Sequence, residues 1–357
     1  MKERYGKSVE PAYTDGRDID LDVGQLLGEA AHQVSKGSPD PHEEKKAGVW
    51  RQLPEPSAED PTYYDRPMLQ ESVWSWAIPL YYYVGGLSGA AMALAAATTL
   101  KNNESLDSFI HQAHWIGFTG TVLSGGLLIY DLGRPARFLN MLRVFRPTSP
   151  MNMGAWILSA TGGTAFLTVV LRRRRGALGV IGEAFGVLSG LYGLGLATYT
   201  GVLVANTAVP VWQSSRRSLP ALFGSSAVAS LGCAFDIFGG DDGAASGITR
   251  NFGTVGRLGE LAAGFCMERE AGKTPIVGRP WKGGVSGVMF RTSTLLTAAS
   301  LVLAVLPNRT KKRRIASGIL GSLGSLLMRF SVESAGKASA RNPRSSFHQQ
   351  RQQRQSV

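Results

Sequence analysis

The sequence predicts an all-α integral membrane protein of about eight transmembrane helices behind a polar, mostly disordered N-terminal arm. Three observations carry this expectation. From Val73 onward, runs of about 20 residues with few charges recur, and that length spans a bilayer core as helix. The charge is divided: residues 1–71 hold 15 of the 26 acids but only 9 of the 38 bases. The mean hydropathy of −0.01 is therefore the average of an acidic polar arm and a very apolar, basic body.

The arm, residues 1–71, is rich in Pro, Gly, Asp, Glu and Ser. Most of it buries too little apolar surface to fold alone. The stretch 18–33 (DIDLDVGQLLGEAAHQ) is expected to form a short amphipathic helix, and the remainder an extended arm that orders on a partner or on the body. The opening residues lack an apolar run, so no cleavable secretory signal is expected.

The transmembrane domain is expected over 72–334, followed by a basic tail at 335–357. Clear spans are 74–100, 109–131, 151–171, 177–206, 218–238, 288–307 and 314–332. A weaker one, 248–267, carries Arg250, Arg257 and Glu260. Alone it is costly in lipid. In a bundle, Arg257 and Glu260 share one face at i, i+3, and counting it gives eight. Gly, Ala, Ser and Thr recur in the spans, as in GVLSGLYGLGLATYTG (186–201), and such residues let membrane helices approach closely.

With eight spans both termini lie on one side, whose connections carry 16 Lys and Arg against ten on the other. The positive-inside rule then favours cytoplasmic termini, while the RRRR (172–175) and NRTKKRR (308–314) clusters on the other side argue the reverse. The net charge of +12 concerns topology and docking rather than nucleic acid.

Resident redox centres are excluded by count. Cys233 and Cys266 are the only cysteines, against the roughly four thiolates of an iron–sulfur cluster, and no CxxC is present. His111 and His114 share one span, and His32, His42 and His348 lie in the tails, so a haem held between two helices has no second ligand.

Several intramembrane polar groups are candidates for function. Asp131 lies at a membrane boundary in YDLGRP (130–135), where Gly133 and Pro135 also read as plain helix termination. Asp131 with Arg134 also reads as a simple ion pair. Trp74 and Trp76 read as interfacial anchors, whereas Tyr82 lies deeper and needs a partner for its hydroxyl. On an eight-span topology Trp76, Tyr82, Asp131, Arg134, Tyr199 and Trp212 lie toward one side, at the rim of an apolar cleft suited to a ligand with a polar head and an apolar body. His114, Asp236 and Glu260 are candidates for a proton path. Against these stand ordinary structural roles: an interfacial helix end for His114, and paired charges elsewhere, such as Arg329 with Glu333 at i, i+4.

The segments WSWAIPLYYYVGGLSGA (74–90), IYDLGRPARFLNMLRVFRPTSPMNMGAW (129–156), YTGVLVANTAVPVW (199–212) and AGKASARNPRSSFHQQR (335–351) together resemble the NrfD/PsrC family, membrane subunits of polysulfide-reductase-like molybdenum–iron–sulfur oxidoreductases. The resemblance implies two four-helix bundles with no bound metal or covalent cofactor. It implies a quinone such as menaquinone as exchangeable ligand, and electron transfer between the membrane quinone pool and a ferredoxin-like iron–sulfur subunit, with a molybdopterin subunit beyond it. It places the chain in the cytoplasmic (inner) membrane and carries the quinone role to the first-span aromatics, Asp131, Arg134 and Tyr199. One departure is the stretch SWAIP (75–79), which has no His where some members hold the quinone head. Two alternatives stand beside this reading: a cofactor-free scaffold for an iron–sulfur protein, and a proton-coupled transporter, which a cavity facing Asp236 or Glu260 would support.

Overall fold

The computed structural model describes residues 19–20, 25–26, 67–101, 103–239, 244–307 and 310–346. The chain divides into two units, Met1–Glu59 and Asp60–Val357. In the first, β1 (Ile19–Asp20) pairs antiparallel with β2 (Gln25–Leu26), Ile19 opposite Leu26. At these four residues the ladder replaces the expected amphipathic helix. The rest of that helix, and the rest of the arm expected over 1–71 as far as residue 66, lie outside the described residues.

The second unit is helical. Among its described residues, eight helices have 21 residues or more: α1 (Ala77–Thr99), α2 (Asp107–Leu132), α4 (Pro150–Leu171), α5 (Ala177–Ala205), α7 (Ser218–Phe238), α8 (Ala244–Gly272), α10 (Gly284–Val305) and α11 (Lys311–Arg341). Three short helices, α3 (Pro135–Met141), α6 (Pro210–Ser214) and α9 (Pro275–Lys282), lie in the connections. Each opens on a proline, whose missing N–H costs nothing at a helix start.

Seven of the long helices are apolar and long enough to cross a membrane. They correspond to the seven clear spans. The eighth, α8, is long enough but too polar to qualify by composition. Its Arg257 is buried and donates to Asp236 Oδ2 at 2.5 Å and to Cys233 Sγ at 3.2 Å, both on α7. The partner of Asp236, which nothing in the sequence singles out, is thus Arg257.

Packing follows the small residues. α1 packs on α2 and α5, α5 on α4, and α2 on α4. Farther along the chain, α8 packs on α7, α11 on α7 and α10, and α10 on α8. Where α1 meets α5, Gly89 and Gly193 face each other so closely that a Cβ on either would strike the other's backbone carbonyl. Helix α2 stops at Gly133, whose φ of 71° is the left-handed cap the sequence predicts. The loop after α3 is pinned by Asn152 of the SPMNMGAW stretch. Its Nδ2 donates to the carbonyls of Met141 (2.5 Å) and Val144 (3.0 Å), and its Oδ1 accepts from the Arg146 N–H at 2.7 Å.

Antiparallel packing brings α3, α6, α9, the segment before α1 and the end of α11 to one end of the helical body, called here the proximal end. Contacts across the sequence hold it together. The Val211 N–H donates to Ser339 Oγ (3.2 Å), the Ser218 hydroxyl to Glu270 (2.7 Å), and Arg341 pairs with Glu71.

Candidate functional site

Residues 71–76 run into α1 at the proximal end and are fastened at three points. Glu71 is held by Arg341, and the Trp74 carbonyl accepts from Lys337 Nζ at 2.8 Å. The Ser75 N–H and hydroxyl both donate to Asp131 Oδ1, at 2.9 and 2.5 Å. Lys337 also pairs with Glu333 one turn back on α11, at 2.7 Å.

Behind this strap lies an aromatic cluster. The half-buried Trp74 ring stacks on Trp212, with centroids 5.9 Å apart and planes 18° apart, and meets Tyr82 edge-on at 6.3 Å. Trp212 is 1% exposed, and its Nε1 donates to the Val332 carbonyl at 2.8 Å. Tyr82 is 2% exposed, and its hydroxyl has no hydrogen-bond partner among the described residues. Such a group costs about 1–3 kcal/mol unless something else satisfies it. Its ring leans on Phe223, which carries the Arg329 guanidinium 3.9 Å from its centroid. Tyr81, one position earlier, shares a hydrogen bond with the Tyr199 hydroxyl. The Tyr199 ring fits only because residue 154 is glycine, where a Cβ would land on the ring.

Among the residues singled out from sequence, Tyr82 and Trp212 thus meet through Trp74. Asp131 joins through Ser75, and Tyr199 through Tyr81. Trp76 is 57% exposed and packs on Tyr130 with centroids 5.8 Å apart. Arg134 is exposed at the start of α3, and Asp131 bonds Ser75 rather than forming the expected ion pair with it. Glu333 pairs with Lys337, not with Arg329 as its spacing suggested, because Phe223 on α7 takes the guanidinium both by its ring and by its carbonyl, at 2.9 Å.

Ser75 and Lys337 are the participants that sequence reasoning missed; it reads Trp74 chiefly as an interfacial anchor, includes Tyr81 only among the first-span aromatics, and pairs Glu333 with the wrong base. The signal for Trp74 was its place two residues before Trp76. For Lys337 it was the i, i+4 carboxylate.

The three proton-path candidates lie apart from one another. His114 is buried on α2 with both ring nitrogens unpartnered, beside Gly186 of α5. Asp236 is ion-paired with Arg257. Glu260 on α8 accepts from the Ser325 hydroxyl on α11 at 2.7 Å and lines a cavity between α8, α10 and α11. No group of three or more His, Cys, Asp or Glu suited to a metal ion occurs among the described residues.

Residues 66–238 match the family model described as polysulphide reductase, NrfD. Over these residues, a little under half of the chain, it is similar to the NrfD proteins. No curated protein matches it. The NrfD segment ends on the last residue of α7, so the strap and most of the aromatic cluster lie inside it. Helix α11, which supplies Val332, Glu333, Lys337 and Arg341, lies beyond it. The seven apolar helices and the NrfD segment together indicate a multi-pass membrane protein, and the family suggests a membrane subunit of a quinone-linked oxidoreductase complex, working with other subunits.

Proposed function

We propose that the protein is the quinone-interacting membrane anchor of a multisubunit oxidoreductase in the cytoplasmic membrane. It passes electrons between the quinone pool and a ferredoxin-like iron–sulfur subunit, itself joined to a molybdopterin subunit. All eight long helices cross the membrane as two four-helix bundles, α1, α2, α4 and α5 in one and α7, α8, α10 and α11 in the other. The packing pairs support that grouping, and the buried Arg257–Asp236 pair supports the inclusion of α8.

The observation that carries the functional reading is the unpartnered Tyr82 hydroxyl within the Trp74–Trp212 cluster, at the proximal end and inside the NrfD segment. A quinol oxygen supplies the missing partner, and the aromatic rings enclose the ring of the ligand. Quinol oxidation releases two protons and two electrons. Asp131 accepts one proton as its bond to Ser75 loosens, breaking one quinol O–H bond and forming a carboxyl O–H bond; the second quinol proton passes to water at the proximal end, and the two electrons leave for the partner's cluster. The bases of the proximal connections dock that partner.

The test is quinol-dependent reduction of the partner's cluster in the purified complex. Loss of the rate in Tyr82→Phe and Asp131→Asn, with docking retained, supports the proposal. Absence of quinone binding, with an unchanged rate in Asp131→Asn, overturns it.

A second reading, a scaffold that holds an iron–sulfur protein without binding quinone, draws on the same geometry. Asp131 and Tyr199 already have partners, and no histidine stands in 75–79. Docking of the partner without any quinol-dependent reduction would favour it.

A further inference from the structure

The cavity between α8, α10 and α11 has a volume of about 100 Å³. Its walls are largely apolar, with Phe265, Phe290 and Met328. Two polar groups on it are buried and unsatisfied. Glu260, 1% exposed, uses Oε2 for Ser325 and leaves Oε1 without a partner; Thr297, also 1% exposed, leaves its hydroxyl without one. A cavity of this size with such groups on its wall has room for a few water molecules, and an unpaired buried carboxyl oxygen is expensive without one. Phe265, 64% exposed, and the half-exposed Glu268 stand at its outer side.

We infer that Glu260 is a proton-exchange site, its carboxyl taking up and releasing a proton through the water of this cavity. In uptake an O–H bond of a cavity hydronium breaks and one on Glu260 forms; release is the reverse, so no other reactant is needed. The comparison with the other two candidates singles out this residue. Asp236 is committed to Arg257, and a neutral Asp236 would leave that buried guanidinium uncompensated. His114 is enclosed by α2 and α5 and is absent from the cavity wall.

The groups that face Glu260 are few. Arg257 and Glu268 lie on its own helix, the latter across the cavity. Helix α11 offers Arg329 and Ser325. Helix α7 offers Cys233 and the hydroxyl of Ser226, which approaches the Glu260 carboxyl. Tyr83 approaches from α1, and α10 contributes only the hydroxyls of Thr294 and Thr297. Arg329 makes no ion pair with Glu260; it is held by Phe223, the residue on which Tyr82 leans. This inference stands whether or not the proximal cluster binds quinone, and its site lies outside the NrfD segment.

The test is infrared difference spectroscopy of the full-length protein in membranes, between mildly acidic and alkaline buffer. The expected result is a protonated-carboxyl stretching band that shifts in D2O, is lost in Glu260→Gln and moves in Glu260→Asp. Gly264→Leu should slow the D2O shift, since a Cβ at Gly264 meets only the ordinary contacts of Met328 and Phe290, 3.8–3.9 Å away, and the longer side chain fills the cavity. Should the glutamine variant fail to fold, the aspartate variant still identifies the band. Spectra identical in wild type and both variants, or a Glu260 band that does not respond to pH or D2O, overturn the inference.

Discussion

The Lys337 ammonium donates to the backbone carbonyl of Trp74, at 2.8 Å across 263 positions of sequence. This contact joins the last helix of the chain to the first and sets the height at which the Trp74 ring meets Trp212. It also means that the proximal cluster is completed from outside the NrfD segment. Lys337→Met is expected to cost about 1 kcal/mol and to weaken the near-ultraviolet circular dichroism of the Trp74–Trp212 pair. Thermal unfolding in detergent, followed at the same wavelengths, checks both.

Asp131→Asn keeps an oxygen that can accept from Ser75, so the strap is expected to stay in place. What the variant loses is a basic site. Quinol-dependent turnover of the complex is expected to fall by about 100-fold, the usual range for removing a positioned proton acceptor. Partner docking should be unchanged, and a stopped-flow assay alongside a pull-down separates the two.

Gly154 and Gly163 both lie on α4, yet alanine should act oppositely at them. A Cβ at Gly154 collides with the Tyr199 ring, whereas at Gly163 it meets nothing within 4 Å. Gly154→Ala is expected to cost about 1–3 kcal/mol and to break the Tyr81–Tyr199 hydrogen bond. Gly163→Ala should be neutral or stabilising by up to about 1 kcal/mol. Denaturation of the two variants under one set of conditions is the comparison.

Asp236→Leu leaves the buried Arg257 without its carboxylate and is expected to cost about 3–5 kcal/mol. The double variant Asp236→Leu/Arg257→Met should recover most of that loss, because an apolar pair of similar size replaces the ion pair. A double-mutant cycle on expression and thermal stability reads the coupling. Equal losses in the single and double variants would show that the pair is not the source.

The long apolar helices, and the stop at Gly133 followed by Pro135, were legible because they depend on length and local backbone geometry alone. The site was legible only in part. Asp131 and Tyr82 drew notice as polar groups at membrane depth, but which tryptophan turns inward depends on the packing of α1. Trp74 and Trp76 are two positions apart; one stacks in the cluster and the other is largely exposed. Glu333 has a base four residues away on either side, Arg329 and Lys337, and helix spacing cannot choose between them. Phe223, from a different helix, makes the choice. Asp236 and Arg257 likewise find each other across two helices. At Ile19–Asp20 and Gln25–Leu26 strand pairing stands where the amphipathic pattern predicted helix.

The three proline-led helices give the two faces of the body unequal amounts of chain. Connections on the proximal face run 17, 12 and 11 residues (133–149, 206–217 and 273–283), against seven, five, five and five on the other (100–106, 172–176, 239–243 and 306–310). A protease of broad specificity sealed on one side of a vesicle therefore meets either three connections of 11 residues or more, or only short ones. Which of the two occurs would report the insertion sense of the chain directly, a question on which its arginines pull in both directions.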